Sequence, residues 1–94
     1  MYPTKKEEIE CADELKFDVV QQLKQKLIKE FKHVNIMDGV RVDLPDGWIL
    51  IRPSNTSPII RLTTEADNET ILENLTTKFL ARTHEIIENM NVKT

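Results

Sequence analysis

Apolar and polar residues along this chain change their period twice. In the first third, Phe17, Val20, Leu23, Leu27 and Phe31 recur at spacings of three and four, while Lys24, Lys26, Lys29 and Glu30 fall elsewhere around the same helix. That is one apolar stripe on an amphipathic helix, and Asp13 stands where it can N-cap the start. In the last third, Leu72, Leu75, Phe79, Ile86 and Met90 trace a second stripe on a helix that begins at Asp67 or Asn68. Both stripes are read as core contacts with a sheet rather than as partner-binding faces.

Between the helices the period is two. Val40, Val42 and Leu44 alternate with Arg41 and Asp43, Pro45-Asp46-Gly47 forms a turn, Trp48 to Arg52 is a second strand and Ile59 to Ala66 a third. Val34 and Ile36, ahead of Asp38-Gly39, either extend the first of these strands or form a short partner to it. The segment around Glu7 to Cys11 is read as an edge strand, because an order β-α-β-β-β-α gives both helices one sheet to cover. The expected fold class is α+β, an antiparallel sheet of about four strands with two helices on one face.

Composition narrows the function classes more than it changes the fold. Ninety-four residues make a single domain, 1–94, with one modest core and no second lobe to close a cleft. A formal charge of −3 provides no broad basic field, so neither nucleic acid nor an anionic membrane is an expected partner. Binding of RNA on an open sheet face is further disfavoured because no strand carries paired aromatics. The one cysteine, Cys11, cannot form an internal disulfide, and no apolar run approaches the roughly 20 residues of a spanning helix. The start, MYPTKKEE, lacks the apolar centre of a signal peptide. A cytoplasmic location is expected.

The candidate chemistry lies in RPSNTSPIIR, where Arg52 and Arg61 bracket Ser54, Asn55 and Thr56. With Arg52 placed opposite Ile59 in a hairpin, Arg61 falls opposite Leu50. Both arginines then project from one face, while Ile49, Ile51, Ile60 and Leu62 line the other as a floor for the helices. A one-residue slip would reverse that. Guanidinium groups fit two oxygens of a phosphate or carboxylate at once, and the hydroxyls and the amide add donors. Asn55, tolerant of positive φ, would let the backbone curl into an anion nest, with Pro53 and Pro58 restricting the loop at both ends. Residue types alone leave a plain hairpin turn with solvated arginines as the competing reading.

The run DGVRVDLPDGWILIRPSNTSPIIRLTTEAD, Asp38 to Asp67, is similar to the C-terminal domain of the α-D-phosphohexomutases, the phosphomannomutase/phosphoglucomutase family. Its loop there reads R-[PA]-S-[NG]-T-x-P, after a D-G strand turn and before an apolar strand ending in E-A. The resemblance implies a fold compared with the TATA-binding protein, in shape only and with no DNA contact. It implies that this domain grips the non-reacting phosphate of a hexose phosphate, while a phosphoserine in the first of four domains exchanges the phosphoryl group through a bisphosphorylated sugar. Mg²⁺ is expected in the parent enzyme, held by another domain and not by this one. Arg52, Ser54, Asn55 and Thr56 match the motif one by one, and Arg61 matches an arginine found after the loop in many members. Ser57 departs from the pattern, standing where many members have an acidic residue.

No catalytic residue is assigned. The family's serine loop and metal-binding aspartate loop are both missing from these 94 residues, so turnover by the chain on its own is not expected. Cys11 is read as a small packed or edge side chain, Trp48 as packing, Asp38-Gly39 and Asp46-Gly47 as turn chemistry, and Glu7, Glu8 and Glu10 as a solvated strand edge. His33 and His84 show no metal-ligand spacing. The alternative function is a protein-interaction module using the exposed sheet face. Which sugar a parent enzyme takes is not legible.

Overall fold

The chain runs β1 (Thr4–Glu10), α1 (Asp13–Glu30), β2 (Val34–Asn35), β3 (Val40–Leu44), β4 (Gly47–Pro53), β5 (Ile59–Ala66) and α2 (Glu69–Val92), in a computed structural model that describes residues 2–92. All pairings are antiparallel, and the strands lie in the order β1-β5-β4-β3-β2. The sheet therefore has five strands where about four were expected. The additional one is β2, two residues long, pairing Val34 with Val42 and Asn35 with Arg41. The N-terminal edge strand is displaced from its expected place at Glu7 to Cys11. It starts at Thr4 and stops before Cys11, which is buried, as a packed side chain would be.

The period-2 alternation is realised residue by residue. Val40, Val42, Ile49, Ile51, Ile60 and Leu62 point to one face and are buried there with Val19, Val20, Leu23 and Leu27 of α1 and Phe79 and Ile86 of α2. Both helices thus cover the same face, α1 over β3, β4 and β5, and α2 over β1, β4 and β5. Leu23 and Leu27 are fully enclosed, so truncating either to Ala would cost about 2–5 kcal/mol.

Two details of α1 differ from expectation. Asp13 does not cap the helix. Ala12 occupies that position without a side-chain hydrogen bond, and the Asp13 carboxylate instead accepts from Lys16 Nζ at 2.8 Å. Phe17 is 55% exposed, whereas Lys16 is only 4% exposed and Val19 is fully buried. The departure is confined to the start of the helix, since Val20, Leu23 and Leu27 of the expected stripe are buried and Phe31 packs against the core. Helix α2 begins as expected, with Asn68 Oδ1 accepting the Ile71 N–H at 2.9 Å.

Antiparallel pairing gathers four chain segments at one end of the sheet. Glu10 at the end of β1 pairs with Ile59 at the start of β5, and Val40 at the start of β3 pairs with Ile51 near the end of β4. The β1–α1 junction, the first turns of α1, the turn before β3 and the β4–β5 loop therefore meet there. That convergence positions the candidate site.

Candidate functional site

The β4–β5 hairpin is in a different register from the one expected. Arg52 pairs directly with Arg61, and Pro53 with Ile60. The shift is two residues, so every side chain keeps its face. The apolar quartet Ile49, Ile51, Ile60 and Leu62 is fully buried, and both arginines lie on the helix-free face. The loop is closed by the Ser54 N–H donating to Ile59 O at 3.0 Å.

Two guanidinium groups opposite each other across a strand pair repel, which is a destabilising arrangement for a sheet. Each is partly compensated by a carboxylate from another segment. Arg61 Nη1 meets Glu8 Oε2 of the neighbouring edge strand at 2.6 Å, and Arg52 Nη1 meets Asp38 Oδ2 at 3.4 Å. Glu8 is therefore not merely a solvated edge residue. The arginine side chains remain 49% and 43% exposed, and exposed ion pairs of this kind contribute only about 0–1 kcal/mol. A phosphate dianion brings a second charge and can accept two parallel N–H bonds from one guanidinium, where each carboxylate here accepts a single one. The carboxylates can orient the arginines without outcompeting a dianion for them.

Gly39 makes the Asp38 contact possible. Its φ is +80°, and a Cβ there would lie 2.4 Å from Ile51 O and 2.6 Å from Arg52 Cβ. Only glycine lets this turn press against the Arg52 backbone. Asn35 Oδ1 accepting the Met37 N–H at 2.9 Å starts the same turn.

The loop itself is built differently from the anion nest expected of it. Among the described residues no non-glycine has positive φ, Asn55 included. Its curvature comes instead from Ser54, which is 5% exposed. Ser54 Oγ accepts the N–H groups of Thr56 and Ser57, both at 3.2 Å, and stands 3.5 Å from Thr56 Oγ1. Those two backbone donors are turned to the loop's own serine. Asn55 and Thr56 are exposed and remain the outward-facing polar groups.

Lys16 and Cys11 latch the far side of the loop, and both contacts are invisible in the sequence. Lys16 Nζ donates to Ser57 O at 2.9 Å as well as to Asp13, and the Cys11 N–H donates to Pro58 O at 2.9 Å. A buried ammonium is tolerable here because a carboxylate and a carbonyl both accept from it. The loop is tied to the helix start as firmly as to its own hairpin.

A groove of about 510 Å³ runs round this end of the sheet. Arg52, Ser54, Asn55, Thr56 and Arg61 all line it, so the five sequence-derived candidates are brought together. Its other wall is Asp38 and Gly39 with Phe17, Gln21 and Lys24 of α1, none of which sequence reasoning placed there. Trp48 lies away from the groove and outside the core. Its Nε1–H donates to Glu65 Oε2 at 3.0 Å, and the Arg41 guanidinium stacks 4.5 Å from its ring centroid. Among the described residues no three His, Cys, Asp or Glu side chains converge as metal ligands.

A sequence profile of the family described as "Phosphoglucomutase/phosphomannomutase, C-terminal domain" matches residues 8–82, a span that includes the whole loop and both arginines. This chain belongs to that family. A probable phosphoglucosamine mutase from Methanopyrus kandleri is 39% identical over 89 residues, covering 95% of this chain and 20% of the relative. A phosphopentomutase from Thermococcus kodakarensis is 45% identical over 73 residues, covering 72% of this chain and 16% of the relative. The solved structure of a phosphoglucomutase/phosphomannomutase family protein from Burkholderia thailandensis superposes with a TM-score of 0.71 at 24% identity, over 92% of this chain and 18% of that one. At that identity the likeness speaks for the fold. The chain spans about a fifth of the length of these relatives. Among the described residues no helix is long and apolar enough to cross a membrane.

Proposed function

We propose that this domain grips the non-reacting phosphate of a sugar phosphate while phosphoryl transfer proceeds on other domains of a mutase. The observation that carries the reading is the cross-strand pair Arg52–Arg61, two like charges that the hairpin register sets face to face beside the loop. A sheet gains nothing from that juxtaposition, and a bound dianion relieves it. Arg52 and Arg61 supply the guanidinium donors, Asn55 and Thr56 the neutral ones, and Ser54 keeps the loop in shape. Phosphate held there orients the sugar, so binding energy remote from the reacting bond serves the transfer step. The relatives support a phosphate-reading rather than a sugar-reading role, since similar domains occur in proteins named for an amino sugar and for a pentose. A hexose phosphate, the amino sugar included, is the substrate class proposed for a parent enzyme, with Mg²⁺ on another domain and a cytoplasmic setting.

The test is a titration of the isotopically labelled chain with inorganic phosphate and with glucosamine 1-phosphate, following backbone amides. Saturable shifts confined to residues 52–61 and the turn at 38–39 are expected. Arg52→Lys keeps the charge but loses the planar fork, and should weaken binding by about 10-fold with little change in thermal midpoint. Absence of any saturable shift in the loop would sink the proposal. It would also leave the protein-interaction reading of the sheet face standing.

A further inference from the structure

Resting on that phosphate-binding reading, we infer that Lys24 of α1 is a third cationic contact for the bound phosphate, reaching it from the helix side of the groove. The groove is lined by Lys24, Arg52 and Arg61 against a single anion, Asp38, in a chain whose net charge is −3. Both arginines are partly neutralised, Arg52 by Asp38 and Arg61 by Glu8. Lys24 has no ion pair with any described residue.

The helix explains why. A lysine on a helix usually finds an acid three or four positions away, but the positions around Lys24 hold Val20, Gln21, Leu27 and Ile28. It is nevertheless half-buried, so part of its side chain lies along the protein surface that lines the groove. Gln21, one turn earlier on the same groove wall, offers an amide in place of a carboxylate and leaves the lysine charge uncompensated. Lys16, two turns earlier, shows the contrasting case of a lysine spent on structure, with Asp13 and Ser57 O as its acceptors. A dianion meeting only Arg52 and Arg61 would have to displace two carboxylates to be fully matched. A ligand that also meets Lys24 gains an uncommitted charge without displacing anything. The loop motif accounts for the hairpin's share of the groove lining, and Lys24 supplies the cation from α1.

The experiment compares phosphate affinity, by amide-shift titration of the whole chain, for the parent and for Lys24→Gln, Lys24→Arg and Lys29→Gln. Lys29 is an exposed lysine on the same helix that does not line the groove, so its variant removes the same formal charge elsewhere. Lys24→Gln should raise Kd for inorganic phosphate by about 3- to 10-fold, as expected for a partly solvated charge contact, and flatten the salt dependence of binding. Lys24→Arg should restore most of the affinity, and Lys29→Gln should change it by less than about 1.5-fold. Parent-like affinity in Lys24→Gln, or equal losses in the Lys24 and Lys29 variants, would overturn the role of Lys24 and leave the loop reading intact. Failure of the parent itself to shift at residues 52–61 would overturn both.

Discussion

Ser54 and Thr56 are both hydroxyl residues of one loop motif, yet the structure assigns them different work, and alanine substitutions separate the two. Ser54 is 5% exposed, and its Oγ accepts two backbone N–H groups at 3.2 Å each. Those are long bonds, so each is placed toward the weak end of the range, about 0.5–1 kcal/mol. Losing both costs about 1–2 kcal/mol, reduced where water can reach the freed N–H groups of Thr56 and Ser57. For a chain of this size 1 kcal/mol corresponds to about 4–8 °C in thermal midpoint, so Ser54→Ala should lower it by about 4–16 °C. Thr56 is exposed, and its hydroxyl contacts only Ser54 Oγ at 3.5 Å. Thr56→Ala should leave the midpoint within about 2–4 °C of the parent, as surface substitutions do.

Phosphate titration divides the two in the other direction. Thr56→Ala should weaken binding by a few-fold through loss of a donor, corresponding to about 0.5–1.5 kcal/mol. Ser54→Ala should weaken it through a looser loop, and adding an osmolyte that restores compactness should recover part of that loss. Circular dichroism melts and amide-shift titrations on both variants would settle it. An unchanged midpoint in Ser54→Ala, together with an affinity loss at least as large as that of Thr56→Ala, would refute the reasoning. Ser54 Oγ would then be a ligand to the phosphate and not the staple of the loop.

Gly39→Ala should destabilise the chain by about 2–4 kcal/mol and weaken phosphate binding, because the new Cβ meets backbone that cannot yield, in a conformation L-residues avoid; urea unfolding within about 0.5 kcal/mol of the parent would count against this. The Glu30 carboxyl is held below its usual pKa chiefly by its hydrogen bonds from Arg82, which tie α1 to α2. A depressed carboxyl stabilises the fold above its ordinary value of about 4.3, and that contribution is lost as the pH falls through the lowered value. Glu30→Gln should thus melt slightly lower than the parent at pH 7 and together with it in strong acid; a gap that widens on acidification would exclude the linkage. Burial raises the Cys11 thiol pKa despite the opposing Lys16 ammonium, so alkylation by iodoacetamide at pH 8 should be much slower than for a free thiol, and a rate matching a small-molecule thiol would show that the β1–α1 junction opens readily.

Faces were legible in the sequence where one side of an element is buried and its period is strict. The alternation through β4 and β5, with a hairpin assumed between them, identified the inward quartet Ile49, Ile51, Ile60 and Leu62. Register was not legible for the same reason. A period-2 pattern is unchanged by a two-residue slip, so Arg52 opposite Ile59 and Arg52 opposite Arg61 look alike from the sequence, and only the second sets the guanidinium groups face to face. In the first turns of α1 the pattern misled, because polarity and burial are exchanged between two neighbours. Phe17 is exposed at the rim of the groove, while Lys16 is buried with two acceptors. A two-residue strand such as β2 carries no period at all.

The loop motif was legible as a set of residue types and not as a division of labour. Its donors were each assigned to an anion, and the backbone was expected to supply an Asn-centred nest. The fold spends part of that inventory internally, with Ser54 holding the backbone N–H groups of Thr56 and Ser57, and Lys16 and Cys11 pinning the carbonyls of Ser57 and Pro58. What faces outward is a smaller set, two arginines, an amide and one hydroxyl, and a loop of this composition needs both parts. A flexible loop would lose much of each contact's energy to ordering its own chain at the moment of binding, at about 1–2 kcal/mol per residue fixed. On the proposed function, residues that never touch a ligand would therefore matter to affinity as much as those that do. Ser57, standing where many members carry an acidic residue, contributes here through its backbone carbonyl to Lys16, a role that does not depend on the side chain.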